Sequence, residues 1–215
     1  MNMYIREPVN GLTHLAGALL SFIALLAMVI KVSLDGASPL ELMAVIIFGI
    51  SLILLYSASA TYHMVIAKDK VIAFFRRMDH SMIYVLIAGT YTPFCLITMN
   101  GVAGWTLFSV VTGLAIAGVV FKMVWFHSPR WLSTGLYIGM GWLVVFFFAP
   151  LSEVMAYPGL MLLLTGGILY TIGGVIYGWK PYWLEFKHIG YHEIFHIFIL
   201  LGSLAHFLSV YLYVI

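Results

Sequence analysis

Two histidines at the start of the last hydrophobic stretch have the spacing of a metal-binding pair. His192 and His196 are four residues apart, so on a helix they lie on one face, about 6 Å apart along the axis. That separation allows both imidazoles to bind one ion. The sequence from there to Ile215 is almost wholly apolar, as in a membrane-spanning helix. Because a histidine inside such a segment is energetically unfavourable, the pair indicates a functional site.

A third ligand and a proton acceptor are expected from two other hydrophobic stretches. His63 ends the second stretch and Asp79 opens the third. Three neutral imidazoles are a common ligand set for catalytic zinc and leave one position for water, whose pKa falls to about 7. The resulting zinc-bound hydroxide is a nucleophile, and Asp79 would orient or deprotonate the water. Ser59 lies one turn before His63, faces the same way, and would hydrogen-bond the water or a developing oxyanion.

Other interpretations of these residues stay open from the sequence alone. Residues 192–196 also match the H-E-x-x-H pattern of zinc metalloproteases, in which Glu193 would be the general base. The alternative for Glu193 is a carboxylate in the first helical turn, where the helix dipole favours it. Ser59 is equally typical of helix packing. Imidazoles also accept copper, nickel or iron, so the residue types do not fix the metal.

Three further histidines are weaker candidates for the site. His14 lies near the start of the first stretch, at a suitable depth but without a local partner pattern. His80 is next to Asp79 and therefore points about 100° away from it on a helix. His206 lies about 15 Å beyond His196 along the helix axis, too far to share a metal. We expect His206 to be a buried hydrogen-bonding group.

The composition indicates a membrane protein. Hydrophobic residues make up 63% of the chain and charged residues 8%, whereas soluble domains are about 25% charged. A net charge of +2 gives no reason to expect nucleic-acid binding, and the single Cys95 excludes an internal disulfide and a cysteine zinc site. The predicted fold class is all-α, a single transmembrane domain over residues 1–215 with seven spanning helices. The spans are placed at about 12–34, 40–63, 78–99, 102–126, 132–149, 159–177 and 191–215.

The positive charges favour one orientation in the membrane. With the N-terminus in the cytoplasm, Lys31 is the one basic residue outside and the other nine are inside. The N-terminus is therefore predicted to be cytoplasmic and the C-terminus outside. In this orientation His63, Asp79, His192 and His196 all lie toward the cytoplasmic end of the bundle, as a single site requires.

Taken together, these motifs resemble the progestin and adipoQ receptor family. The start of the chain, N-G-L-T-H at 10–14, is more similar to the bacterial branch of that family, the hemolysin III proteins. The resemblance covers essentially the whole chain. The motifs that carry it are S-A-T-Y-H at 59–63, D-H-S at 79–81 with A-G-T-Y-T-P at 88–93, and H-E-I-F-H at 192–196.

The resemblance implies a seven-helix bundle with zinc near the cytoplasmic side. His63, His192 and His196 would bind the zinc, Asp79 would bind through the zinc-bound water, and Ser59 would lie close by. Kinship to membrane hydrolases such as alkaline ceramidases is also implied. Two departures limit what is carried over. The receptors can carry glutamine at the position of Glu193, and their long cytoplasmic N-terminal region is missing here, so hormone-receptor function is not expected.

The leading hypothesis is a zinc-dependent integral-membrane hydrolase that cleaves an amide or ester of a lipid-like substrate. We expect it in the bacterial cytoplasmic (inner) membrane, with membrane lipids and a lipid-like small molecule as partners. The alternatives are a hemolysin III-type cytolytic or pore-forming protein and a sensor of membrane state, each with a structural zinc site. An exchangeable water on the metal would favour the hydrolase, because a closed structural site has four protein ligands.

Overall fold

The chain is a bundle of α-helices whose order follows the sequence. The computed structural model describes residues 5–125, 127–186 and 189–215, and all regular structure within them is helical. The α-helices are α1 (Pro8–Leu34), α2 (Pro39–Met64), α3 (Asp69–Pro93), α4 (Val102–Val124), α5 (Arg130–Gly141), α6 (Phe148–Val154), α7 (Tyr157–Trp179) and α8 (Tyr191–Tyr213).

Seven helical segments in the described residues are long and apolar enough to cross a membrane, which confirms the predicted fold class. Apolar side chains cover the outside of the bundle as well as its core. On α1, for example, Leu19, Leu20 and Ile23 are 60–64% exposed. Such a surface is unfavourable in water and suits contact with lipid chains. The chain is therefore an integral membrane protein.

Helix α3 extends beyond the third predicted span, which starts at residue 78. Helix α3 starts at Asp69, so the charged segment before residue 78 forms its first turns, and Asp69 itself lies in the first turn, where the helix dipole favours a carboxylate. Hydropathy locates the apolar part of a helix and not its end, so the helix can extend beyond the predicted span. At the other end, Pro93 is followed by a π-helical turn, Phe94–Thr98.

The helical segment that contains the fifth predicted span, 132–149, is interrupted. It runs from α5 through a 3₁₀ segment, Trp142–Phe147, into α6. Pro150 cannot donate a hydrogen bond to the carbonyl one turn before it, which loosens α-helical pairing there. Tyr91 of α3 satisfies backbone groups at the break, since its hydroxyl donates to the Gly141 carbonyl at 2.6 Å and accepts from the Val144 N–H at 3.0 Å.

The helices pack as a ring around an internal cavity. Helix α1 contacts α2 and α8, α2 contacts α3, α3 contacts α4, and α7 contacts α5 and α8. The 3₁₀ segment of the fifth span contacts α4. Helix α1 packs between α2 and α8. The first turns of α8 therefore lie next to the last turn of α2. This closure brings the histidines of distant helices to one end of the bundle.

Close packing of α4 gives a test of the fold. A side chain at Gly104 would place its Cβ 2.1 Å from the backbone carbonyl oxygen of Cys95, whereas Gly113 on the same helix has no atom within 4 Å of that position. We expect Gly104→Ala to destabilise the protein by about 1–3 kcal/mol through overpacking. Gly113→Ala, the matched control, should leave stability unchanged or slightly raised. Thermal unfolding in detergent measures both, and equal melting temperatures would contradict this packing.

Candidate metal centre

Three histidines from two distant helices form a cluster. His63 lies in the last turn of α2, and His192 and His196 lie in the first turns of α8. One side-chain nitrogen of each can be chosen so that all three lie within 4.8 Å of one another. His63 and His196 are buried and His192 is half-buried. These are the three residues predicted to share a site, and their geometry is that of a group able to hold a metal ion.

A glutamate orients His63 within this cluster. The Nδ1 atom of His63 lies 2.5 Å from Oε2 of Glu7, and this hydrogen bond is the main cause that lowers the pKa of Glu7 below its usual value. Glu7 is therefore a carboxylate at neutral pH and accepts the hydrogen bond from Nδ1, which leaves Nε2 as the His63 nitrogen that could bind a metal. That Nε2 faces Nε2 of His192 at 3.4 Å. A carboxylate on the outer nitrogen is the usual support for a metal-binding histidine.

The segment before α1 fixes Glu7 in place by capping the end of α2. The Glu7 backbone N–H donates to the His63 carbonyl at 3.0 Å. The Arg6 guanidinium donates to the Tyr62 carbonyl at 2.6 Å and lies 4.4 Å from the centre of the Tyr62 ring. Both contacts satisfy carbonyls that a helix leaves unpaired at its end. The sequence analysis did not predict a role for Glu7. The one feature that pointed to it is its position just outside the first span, on the side of the membrane predicted for His63.

His14 forms one wall of the cluster. Its ring stacks on that of His196 with centroids 3.6 Å apart and planes 11° apart. His14 is only 3% exposed, and neither of its ring nitrogens has a hydrogen-bond partner within the described residues. Nδ1 of His196 is likewise buried and unpaired there. The suitable depth of His14 was visible in the sequence, but the stacking depends on the packing of α1 against α8.

Asp79 and Ser59 lie at the same end of the bundle. The Asp79 carboxylate is close enough to interact with Ser59 and His63. Both Asp79 and Ser59 line the internal cavity together with His192 and His196. The Ser59 side chain is buried, with 1% exposed. The structure thus brings together all five predicted site residues.

Glu193 has contacts that suit a structural role. One carboxylate oxygen accepts a hydrogen bond from the Gly190 N–H at 2.8 Å, which caps α8. The other accepts from Nδ2 of Asn10 at 2.8 Å and so ties α8 to α1. Because both oxygens are engaged, these contacts favour the first-turn interpretation of Glu193 over a general base of a metalloprotease.

Two other histidines considered in the sequence analysis, His80 and His206, lie outside the cluster. The Tyr177 hydroxyl lies 3.4 Å from Nε2 of His80, and the His80 carbonyl accepts from Tyr137. His206 is buried, as predicted, with its ring 5.1 Å from that of Tyr170. Its Nδ1 has no hydrogen-bond partner within residues 5–125, 127–186 and 189–215, so the predicted hydrogen bond is not found at that atom.

The cluster opens into a largely apolar cavity of about 180 Å³ that runs along the bundle. His14, Ser59, Asp79, His192 and His196 line one end. Toward the other end the wall becomes apolar. The residues of that wall include Leu86, Phe94, Met99, Leu107 and Leu163.

The bundle of membrane-length helices, with three histidines at one end of an internal cavity, defines an integral membrane protein with a candidate metal site. The family model described as Haemolysin-III related matches residues 2–207 of the chain. Hemolysin-3 of Bacillus cereus is 41% identical over 216 residues, which cover 100% of this chain and 95% of that protein. The Hemolysin-3 homolog of Bacillus subtilis (strain 168) is 41% identical over 207 residues, covering 96% and 93%. The chain therefore belongs to the haemolysin-III related family, which confirms the resemblance drawn from its motifs.

Proposed function

We propose that the protein is a zinc-dependent hydrolase of the bacterial cytoplasmic membrane that cleaves an amide or ester of a lipid-like substrate. The observation that carries this proposal is the position of the histidine cluster. It lies at one end of a cavity whose remaining wall is mostly apolar. A substrate with a hydrocarbon chain along the cavity would present its polar end to the histidines.

The residues fit a zinc ion. His63, His192 and His196 would hold it, because their ligand atoms converge within 4.8 Å and imidazoles are common zinc ligands. Glu7 already holds the His63 ring with Nε2 directed toward His192. When bound, zinc supplies a Lewis acid and lowers the pKa of a coordinated water to about 7.

Asp79 and Ser59 would handle the proton and the carbonyl oxygen. The Asp79 carboxylate would accept a proton from the attacking water and return it to the leaving amine or alcohol, so that the products are a fatty acid and an amine or alcohol. The Ser59 hydroxyl, which is buried and lines the cavity beside Asp79, would donate to the carbonyl oxygen as negative charge develops there.

Turnover of a defined lipid tests the proposal. Detergent-purified protein should release fatty acid from a long-chain ceramide or from the matching ester. Activity should disappear with a chelator, return with zinc, and be absent from His196→Ala. Wild type with a full complement of metal and no release from either substrate would contradict the hydrolase.

Loss of the support on His63 should weaken metal binding. Glu7→Ala removes the carboxylate that fixes the ring, and loss of such a partner lowers metal affinity about 10- to 100-fold. A competition titration against a zinc chelator measures the change. Glu153→Ala, at an exposed glutamate, is the matched control and should keep wild-type affinity. Equal affinity in both variants would show that Glu7 does not support the site.

A larger side chain in the cavity should restrict the protein to substrates with a shorter hydrocarbon chain. Gly167 lines the cavity, and a Cβ added there would meet no atom within 4 Å. Gly167→Leu should lower kcat/KM for a long-chain amide by at least about tenfold, because the added side chain occupies the space of the hydrocarbon chain. A short-chain amide should be little affected. Gly113→Leu, on the exposed face of α4, is the control, and equal losses for both chain lengths would refute this use of the cavity.

A cytolytic function is the second candidate, since two relatives carry the name hemolysin. In that case the metal would be structural. Release of a dye from vesicles by purified protein tests it. Lysis that persists in Asp79→Asn, together with the absence of turnover, would favour this function over the hydrolase.

A further inference from the structure

A buried lysine without a carboxylate partner lies beside the cavity. Lys122, in the last turn of α4, is 2% exposed. Its ammonium donates to the Ser128 hydroxyl at 3.0 Å and to the Ser133 hydroxyl, and the two hydroxyls are 3.2 Å apart. No carboxylate of the described residues forms an ion pair with it. Hydroxyls satisfy its hydrogen bonds but not its charge, and a buried charge is stabilised by a counter-ion.

Two arginines add to this positive charge. Arg76 of α3 and Arg130, the first residue of α5, line the same cavity as Lys122. His80 lines the cavity together with these three cations. The Arg130 guanidinium lies 5.5 Å from the centre of the Tyr177 ring, and its Nη1 is buried without a hydrogen-bond partner among the described residues.

The chain compensates only part of this charge. Asp79 is the one carboxylate that lines the cavity in the described residues, and it interacts with His63 and Arg76. Among the described residues that line this cavity, three cations face one carboxylate, while Glu7 and Glu193 line a neighbouring cavity together with Arg76 and Arg130.

We propose that Lys122, Arg130 and Arg76 bind the phosphate group of a ligand that enters this cavity. Three cations and the Ser128 and Ser133 hydroxyls offer donors to three phosphate oxygens, and their charge matches a phosphate better than the single charge and two oxygens of a carboxylate. The adjoining apolar wall would accept the hydrocarbon chain of an anionic membrane lipid. Binding of a phosphate here would be separate from the proposed hydrolysis and would require neither zinc nor turnover.

Ligand-induced stabilisation in a neutral detergent tests the phosphate site. Purified protein is heated with lysophosphatidic acid, with a monoacylglycerol of the same chain, with oleate, or with inorganic phosphate. We expect lysophosphatidic acid to raise the melting temperature in a saturable manner and the monoacylglycerol and oleate to do so far less. Lys122→Gln and Arg130→Gln should each weaken its binding by at least about tenfold. Lys70→Gln, at an exposed lysine in the first turn of α3, should bind like wild type.

The other outcomes of this experiment show whether the bound phosphate belongs to a lipid or is free in solution, and whether a phosphate is recognised at all. Stabilisation by lysophosphatidic acid alone identifies a lipid headgroup, whereas equal stabilisation by inorganic phosphate identifies a soluble phosphate. Equal stabilisation by oleate or monoacylglycerol would overturn the proposal. Full binding in both Lys122→Gln and Arg130→Gln would overturn it as well. If Lys122→Gln does not give folded protein by gel filtration, Arg130→Gln decides.

Discussion

Replacing Asp79 by asparagine is expected to lower kcat for a long-chain amide by about 100- to 10,000-fold, the usual contribution of a general base. Asparagine keeps the size of the side chain but cannot accept and return a proton. Asp79 interacts with His63 and lines the cavity beside His192 and His196, so it can reach water bound at the cluster. It is not one of the three grouped ligands, and the variant should therefore keep its metal.

Three measurements separate this role from a structural one. The metal content and melting temperature of Asp79→Asn should stay close to wild type, while kcat falls. Asp69→Asn, an exposed aspartate at the start of the same helix, should leave kcat unchanged. Near wild-type kcat in Asp79→Asn would remove the proton-transfer role. Loss of metal in that variant would instead make Asp79 a ligand.

The meeting of the three histidines was predictable because two independent patterns agree. The spacing of His192 and His196 places them on one helix face. The distribution of lysine and arginine predicts that His63 lies at the same membrane depth. The depth of a residue in the membrane confines it to a thin layer of the bundle. Only the few polar residues of other helices at the same depth can therefore share a site with it. Asp79 and Ser59 follow from the same restriction.

The supporting residues depend on contacts that depth does not fix. Glu7 lies outside the spans, and its approach to His63 depends on how the preceding segment caps α2. The stacking of His14 on His196 requires α1 to pack beside α8, and hydropathy does not give the order of helices around a ring. The break after Gly141 depends on the Tyr91 hydroxyl, which comes from another helix.

The largest expected effect on the metal comes from the histidines themselves. His63→Ala removes the one ligand from α2, and His192→Ala removes one of the two from α8. Two imidazoles do not make the three-ligand set typical of catalytic zinc, so each variant should lose the ion. The two residues are 129 positions apart in sequence, and equal loss in both would mean that separate helices build one site.

His206→Ala is the matched control for these variants. His206 is a buried histidine on α8 that lines the same cavity, yet it is outside the three-histidine group. It should keep the metal even if the loss of a buried side chain lowers its melting temperature. Retention of metal in this control would separate loss of a ligand from general destabilisation.

Elemental mass spectrometry of the detergent-purified protein tests the metal centre most directly. We predict close to one zinc per chain in wild type and in His206→Ala, and almost none in His63→Ala or His192→Ala. Folded wild type without zinc, or zinc that remains in both histidine variants, would contradict a metal centre built from α2 and α8.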